Sequence, residues 1–78
     1  MGNKKNLYPN LMAELARQGM TIATLAQKMG MTRSNLAYKV RGKYNFTLKD
    51  ITTIQEILRA NDTDGDYSLD YLFTKGGE

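Results

Sequence analysis

The chain has 78 residues, enough for one small domain with a limited core. It holds no cysteine and no histidine, which excludes a disulfide framework, a zinc finger and the usual general base, and which fits a reducing cytosol. The net charge of +3 hides an asymmetry: residues 1–49 carry nine Lys/Arg and one acid, for +8, whereas residues 50–78 carry two Lys/Arg and seven acids, for −5.

A basic N-terminal two-thirds beside an acidic tail suggests a polyanion-binding face with the opposite side turned away. No apolar run approaches the roughly 18 residues of a membrane span, and the amino end lacks a signal-peptide pattern. MGNKKN reads as a frayed polar start.

The first predicted helix is NLYPNLMAELARQG, with Leu7, Leu11, Leu15 and Ala16 as its apolar stripe and Tyr8 and Met12 beside it. Pro9 suits a first helical turn, where its missing N–H is no loss, and Gly19 ends the helix. The second, TIATLAQKM, is capped by Thr21 and faces Ile22, Leu25, Ala26 and Met29 inward. Ala26 is small, as a close helix crossing requires. The third runs from Arg33 to Val40, with Leu36 and Val40 one turn apart on the buried side. RGKYNF is a loop, with Gly42 and Asn45 as turn residues. The fourth helix, TLKDITTIQEILRA, starts at Thr47 with Asp50 three residues on, a capping-box-like opening, and its stripe is Leu48, Ile51, Ile54, Ile57 and Leu58. A short fifth helix, SLDYLF, follows a polar loop. The expected fold is all-α: one domain over residues 6–73, a bundle of four to five short helices, with flexible ends at 1–5 and 74–78.

Between the second and third helices the stretch LAQKMGMTRSNLAYKV looks like one amphipathic helix with a fault at Gly30. A glycine inside a helix costs about 1 kcal/mol relative to alanine, whereas threonine is a good N-cap. The stretch is therefore two helices: Gly30 stops the first, Met31 forms the turn and Thr32 caps the second. Met31 before the cap and Leu36 on the fourth helical position form a hydrophobic staple. This is a helix-turn-helix unit.

The acidic segment NDTDGD resembles a calcium-binding loop, but with Gly65 in the sixth position the first falls on Ala60 and the twelfth on Tyr71, neither of which supplies a carboxylate. An acidic turn is the better reading. Met12, Met20, Met29 and Met31 are expected to fill the core.

Residues 21–58, TIATLAQKMGMTRSNLAYKVRGKYNFTLKDITTIQEIL, resemble the Cro/phage-repressor-type helix-turn-helix family, also called the xenobiotic-response-element (XRE) family. The shared order is a small alanine in helix two, a turn glycine, a capping Ser/Thr, a polar recognition helix, an RGK-like loop and an amphipathic fourth helix. SLDYLF is similar to that family's closing helix. LYPNLMAELARQG and YKVRGKYNFTL look like small regulators of phages and prophages of Gram-positive bacteria. Two positions depart from the pattern: Ile22 stands where the family usually has a phosphate-holding Gln, and Lys39 and Val40 replace an isoleucine–glutamate pair.

The resemblance implies a lambda-repressor-like domain whose third helix enters the major groove of double-stranded DNA. Arg33 and Tyr38 are then the main base-reading candidates, followed by Ser34 and Asn35, with Ala37 able to meet a thymine methyl. Phosphate contacts fall to the helix starts at Thr21 and Thr32 and to Lys39, Arg41, Lys43, Tyr44 and Asn45. The implied function is a transcriptional regulator, a repressor of phage or mobile-element type. It would bind a palindromic operator as a homodimer in the bacterial cytoplasm, on the nucleoid, with recognition helices ~34 Å apart. No cofactor, metal, small-molecule ligand or membrane partner is expected. Without histidine, cysteine, a phosphate-binding glycine loop or paired acids on a helix face, catalysis is not expected either. The alternative is an antitoxin-like or anti-repressor module that grips another protein; Tyr67, Tyr71, Leu72 and Phe73 could serve that, close the core, or pair two copies of the chain.

Overall fold

Five helices form in the computed structural model, which describes residues 7–62, 65 and 67–76: α1 (Pro9–Arg17), α2 (Ile22–Met29), α3 (Arg33–Val40), α4 (Leu48–Asn61) and α5 (Leu69–Leu72). There is no strand among the described residues, and the fold is an all-α bundle. α2 packs against α3 and α4, while the short α5 touches both α1 and α4. No helix among the described residues is long and apolar enough to cross a membrane.

Side-chain caps set most of the helix starts. The hydroxyl of Thr21 accepts from the Thr24 amide at 3.1 Å, and that of Thr32 from the Asn35 amide at 3.1 Å. Thr47 accepts from the Asp50 amide at 3.1 Å, and the Asp50 carboxylate accepts from the Thr47 amide at 3.0 Å, which completes the capping box. Ser68 does the same for α5 through the Tyr71 amide at 3.3 Å. Each such cap stabilises its helix by about 1 kcal/mol. α1 opens on Pro9 instead.

Gly30 ends α2 with φ +77°, a left-handed conformation that a side chain resists. That conformation lets the Gly30 amide donate to the Gln27 carbonyl at 3.2 Å and the Met31 amide to the Ala26 carbonyl at 3.0 Å. The chain then re-enters a helix at Arg33, so α2 and α3 are separated by three residues.

The core combines Leu11 and Leu15 of α1, Leu25 and Ala26 of α2, Leu36 and Val40 of α3, Ile54 and Leu58 of α4 and Leu72 of α5, with Tyr8, Met20 and Tyr67. Met12, Met29 and Met31 pack against it, so all four methionines singled out in the sequence serve as filler. At one edge the rings of Tyr8, Phe46 and Phe73 form a triangle, edge to face, with centroids 5.3, 5.8 and 5.4 Å apart. Edge-to-face contact places a positive ring edge on a negative ring face.

Several expectations change. Ala16 is exposed because α1 turns Glu14, not Ala16, toward the core, where Glu14 is buried beside Leu11 and Leu15. Glu14 Oε2 accepts from the Tyr71 hydroxyl at 2.7 Å and from the Arg17 guanidinium at 2.6 Å, which makes a buried carboxylate tolerable. Leu48 is 70% exposed: as the first residue of α4 it lies where the apolar stripe runs past the end of the core. Of the readings open for Tyr67, Tyr71, Leu72 and Phe73, closing the core is the one that fits: Tyr67 and Leu72 are buried, with Tyr71 and Phe73 packed against the core.

Tyr67 is also held by polar contacts. Its hydroxyl donates to Asp62 at 3.1 Å and accepts from Gln18 at 2.8 Å, and its carbonyl accepts from Gln55 at 2.9 Å. Burial pushes the phenol above its ordinary value of 10.0, with the Asp62 carboxylate acting in the same sense against the Gln18 donor. Within the end at 74–78, the Gly76 amide donates to the Leu7 carbonyl at 2.8 Å, and the Leu7 amide donates to the Val40 carbonyl at 2.9 Å. The first helix begins at Pro9 rather than Asn6, and the fourth ends at Asn61. The other end expected to be flexible, residues 1–5, lies outside the described residues, as does Asp64 of the acidic turn.

Candidate nucleic-acid interface

The rotation of α3 is set by Leu36 and Val40, one turn apart and both fully buried. With that face fixed, Arg33, Ser34 and Asn35 at the N-terminal end are exposed, while Ala37, Tyr38 and Lys39 are half-buried. Val40 supplies the apolar anchor at the end of α3. Ile22 packs partly buried against the core and offers no polar group at the start of α2. The hydroxyls of Thr21 and Thr32 are engaged as caps; the remaining first-turn amides of α2 and α3 have no acceptor within their own helix.

Lys39 does not join the exposed cations. Its ammonium pairs with the Asp50 carboxylate, and the two side chains are only 17% and 13% exposed. Burial alone would raise the Asp50 pKa, but the Lys39 ammonium and the Thr47 amide outweigh it and hold the carboxyl below its ordinary value of 3.8. Lys39 therefore joins α3 to the start of α4, and its ammonium is engaged within the chain.

The segment after α3 folds back on Tyr38. Gly42, at φ +89°, reverses the chain so that its amide donates to the Lys39 carbonyl at 3.1 Å and the Lys43 amide to the Tyr38 carbonyl at 2.8 Å. This pair of bonds is a Schellman motif, in which an apolar contact commonly joins the residue after the glycine to the helix. Here that contact is ionic–aromatic: the Lys43 ammonium lies 5.0 Å from the Tyr38 ring centroid. Tyr44 also meets Tyr38, its ring 5.4 Å away and nearly perpendicular at 77°.

A half-open cleft of about 350 Å³ lies between Tyr38, Arg41, Gly42 and Lys43. Arg41, Lys43, Tyr44 and Asn45 are all exposed. No acidic residue occurs from Leu15 to Lys49, and Asp50, which follows, is already paired. The structure thus divides the predicted residues into two groups: Arg33, Ser34 and Asn35 at the start of α3, and Tyr38, Arg41, Lys43 and Tyr44 around its end. The resemblance implies base reading for Tyr38 as for the first group, whereas contacts of an aromatic ring with a following lysine leave no periodic signal. The spacing Tyr38–Gly42–Lys43, with a glycine able to close a Schellman turn, was the available clue.

Comparison with protein-family models, curated proteins and solved structures finds no match to this chain.

Proposed function

We propose that this chain is a sequence-specific, double-stranded DNA-binding transcriptional regulator of Cro/phage-repressor type, acting as a repressor. One observation carries the reading: α3 presents Arg33, Ser34 and Asn35 to solvent at its N-terminal end, on a rotation locked by Leu36 and Val40, within a stretch free of acids. Arginine can donate two parallel bonds to guanine O6 and N7, and asparagine can pair with adenine N6 and N7, each worth ~1–3 kcal/mol of discrimination. Arg41 and Lys43 carry the charge that a phosphate backbone attracts. A single short helix reaches few base pairs, so a homodimer on a palindromic operator is part of the proposal.

The test is selection of duplexes from a random pool, followed by binding of the selected duplex across a salt series by wild type and Arg33→Ala. A shared motif, affinity falling steeply with salt, and lost preference at one base position in the variant are expected. If no motif emerges and Arg33→Ala binds as wild type does, the reading fails, and a protein partner becomes the object of search.

A further inference from the structure

We propose that Tyr38 is a positioning residue that holds the Lys43 ammonium over a cleft for one backbone phosphate, and that it does not read bases; this rests on the DNA-binding reading above. Tyr38 is half-buried, with the Lys43 ammonium 5.0 Å and the Tyr44 ring 5.4 Å from its ring centroid. A half-buried ring with two such neighbours is not free to follow a base edge. The backbone adds to the constraint: the Lys43 and Tyr44 amides both point to the Tyr38 carbonyl, at 2.8 and 3.4 Å, which fixes where the two side chains leave the chain.

A lysine on an exposed loop ordinarily samples many rotamers, and ordering it on binding opposes association. Lys43 is ordered beforehand by the ring quadrupole, which attracts the ammonium without neutralising it. The ammonium therefore keeps its full charge for a partner. That partner is an anion: the cleft lined by Tyr38, Arg41, Gly42 and Lys43 has two cations among its four lining residues. A phosphodiester fits this chemistry, since its two free oxygens can be met by Arg41 and Lys43. Lys39, the cation nearest in sequence on the other side of Val40, is withdrawn from this group by Asp50, so the cleft is served by the two that remain exposed.

The experiment compares wild type, Tyr38→Phe, Tyr38→Leu and Lys43→Gln on two duplexes across a salt series: the duplex selected by wild type and one carrying a single base change. Tyr38→Leu keeps the apolar bulk and removes the aromatic face; Tyr38→Phe keeps the face and removes the hydroxyl. Circular dichroism confirms that each variant is folded. The proposal expects Tyr38→Leu and Lys43→Gln to weaken binding to both duplexes by the same factor, about threefold to tenfold, with the ratio between duplexes unchanged. The slope of log affinity against log salt should shrink by up to about one for both, and Tyr38→Phe should match wild type. A Tyr38→Leu variant that changes the ratio between duplexes, or a Tyr38→Phe variant that loses as much as Tyr38→Leu, overturns the positioning role while the DNA reading stands. Wild type that binds no duplex even at low salt overturns both.

Discussion

The ammonium of Lys39 and the carboxylate of Asp50 form a half-buried ion pair that joins α3 to α4, and the same carboxylate closes the capping box on the Thr47 amide. One acid thus sets both the start of a helix and the seat of its neighbour. Because its pKa is lowered on folding, its contribution is present above the ordinary value of 3.8 and is lost as pH falls through the lower folded value. Asp50→Asn should cost about 1–2 kcal/mol at neutral pH, from a weakened cap and a Lys39 left without its partner. Urea unfolding of wild type and variant at pH 7 and pH 3 checks this. The gap between them should narrow at the lower pH; a gap that stays constant would mean that charge plays no part.

Gly42 and Gly30 share a left-handed conformation but differ in surroundings. A Cβ at Gly42 would sit 2.3 Å from Leu7 Cδ1, whereas one at Gly30 would meet nothing within 4 Å. Gly30→Ala should lose about 1 kcal/mol, the conformational penalty alone. Gly42→Ala should lose about 2–3 kcal/mol, since Leu7 must move as well. Thermal melts of the two variants rank them directly, and equal losses would contradict the close contact.

Glu14 is a buried acid whose Oε2 serves both Tyr71 and Arg17, while its Oε1 has no partner among the described residues. Glu14→Ala removes the shared acceptor and leaves a void, at a cost of about 2–3 kcal/mol. Glu14→Gln keeps an oxygen for the Tyr71 hydroxyl and should cost less than half as much. Denaturant titration of both variants tests the order; a glutamine variant as weak as the alanine one would show that the charge is what matters.

Leu48 and Ile54 lie on the same predicted stripe, yet one is 70% exposed and the other fully buried. Leu48→Lys should leave stability within about 0.5 kcal/mol. Ile54→Ala should lose about 2–4 kcal/mol through an unfilled core. A large loss for Leu48→Lys in melts at low concentration would place that side chain against something other than solvent.

How far the sequence reaches can be judged at particular residues. Gly30 before Thr32 was enough to divide one amphipathic run into α2 and α3, because a left-handed glycine and a capping threonine act within a few residues and carry their energy locally. The capping box of Thr47 and Asp50 and the bounds of α3 were legible for the same reason. Glu14 was not, because a carboxylate on a helix gives no sign that a tyrosine 57 positions away donates to it. The exposure of Leu48 was hidden too, since periodicity marks a stripe but not where the core beneath it ends.

By itself the sequence determined an all-α chain, its helix starts and stops, most of its core and a basic stretch around a helix-turn-helix. These follow from propensity, capping and charge, all of which act over short separations. Only the tertiary structure decided which cations remain exposed. Lys39, Arg41 and Lys43 are alike in the sequence, but Asp50 draws the first into an internal pair and the Tyr38 ring holds the third at the surface. A charge is fixed by the residue type; the partner it meets is fixed by which helices pack together.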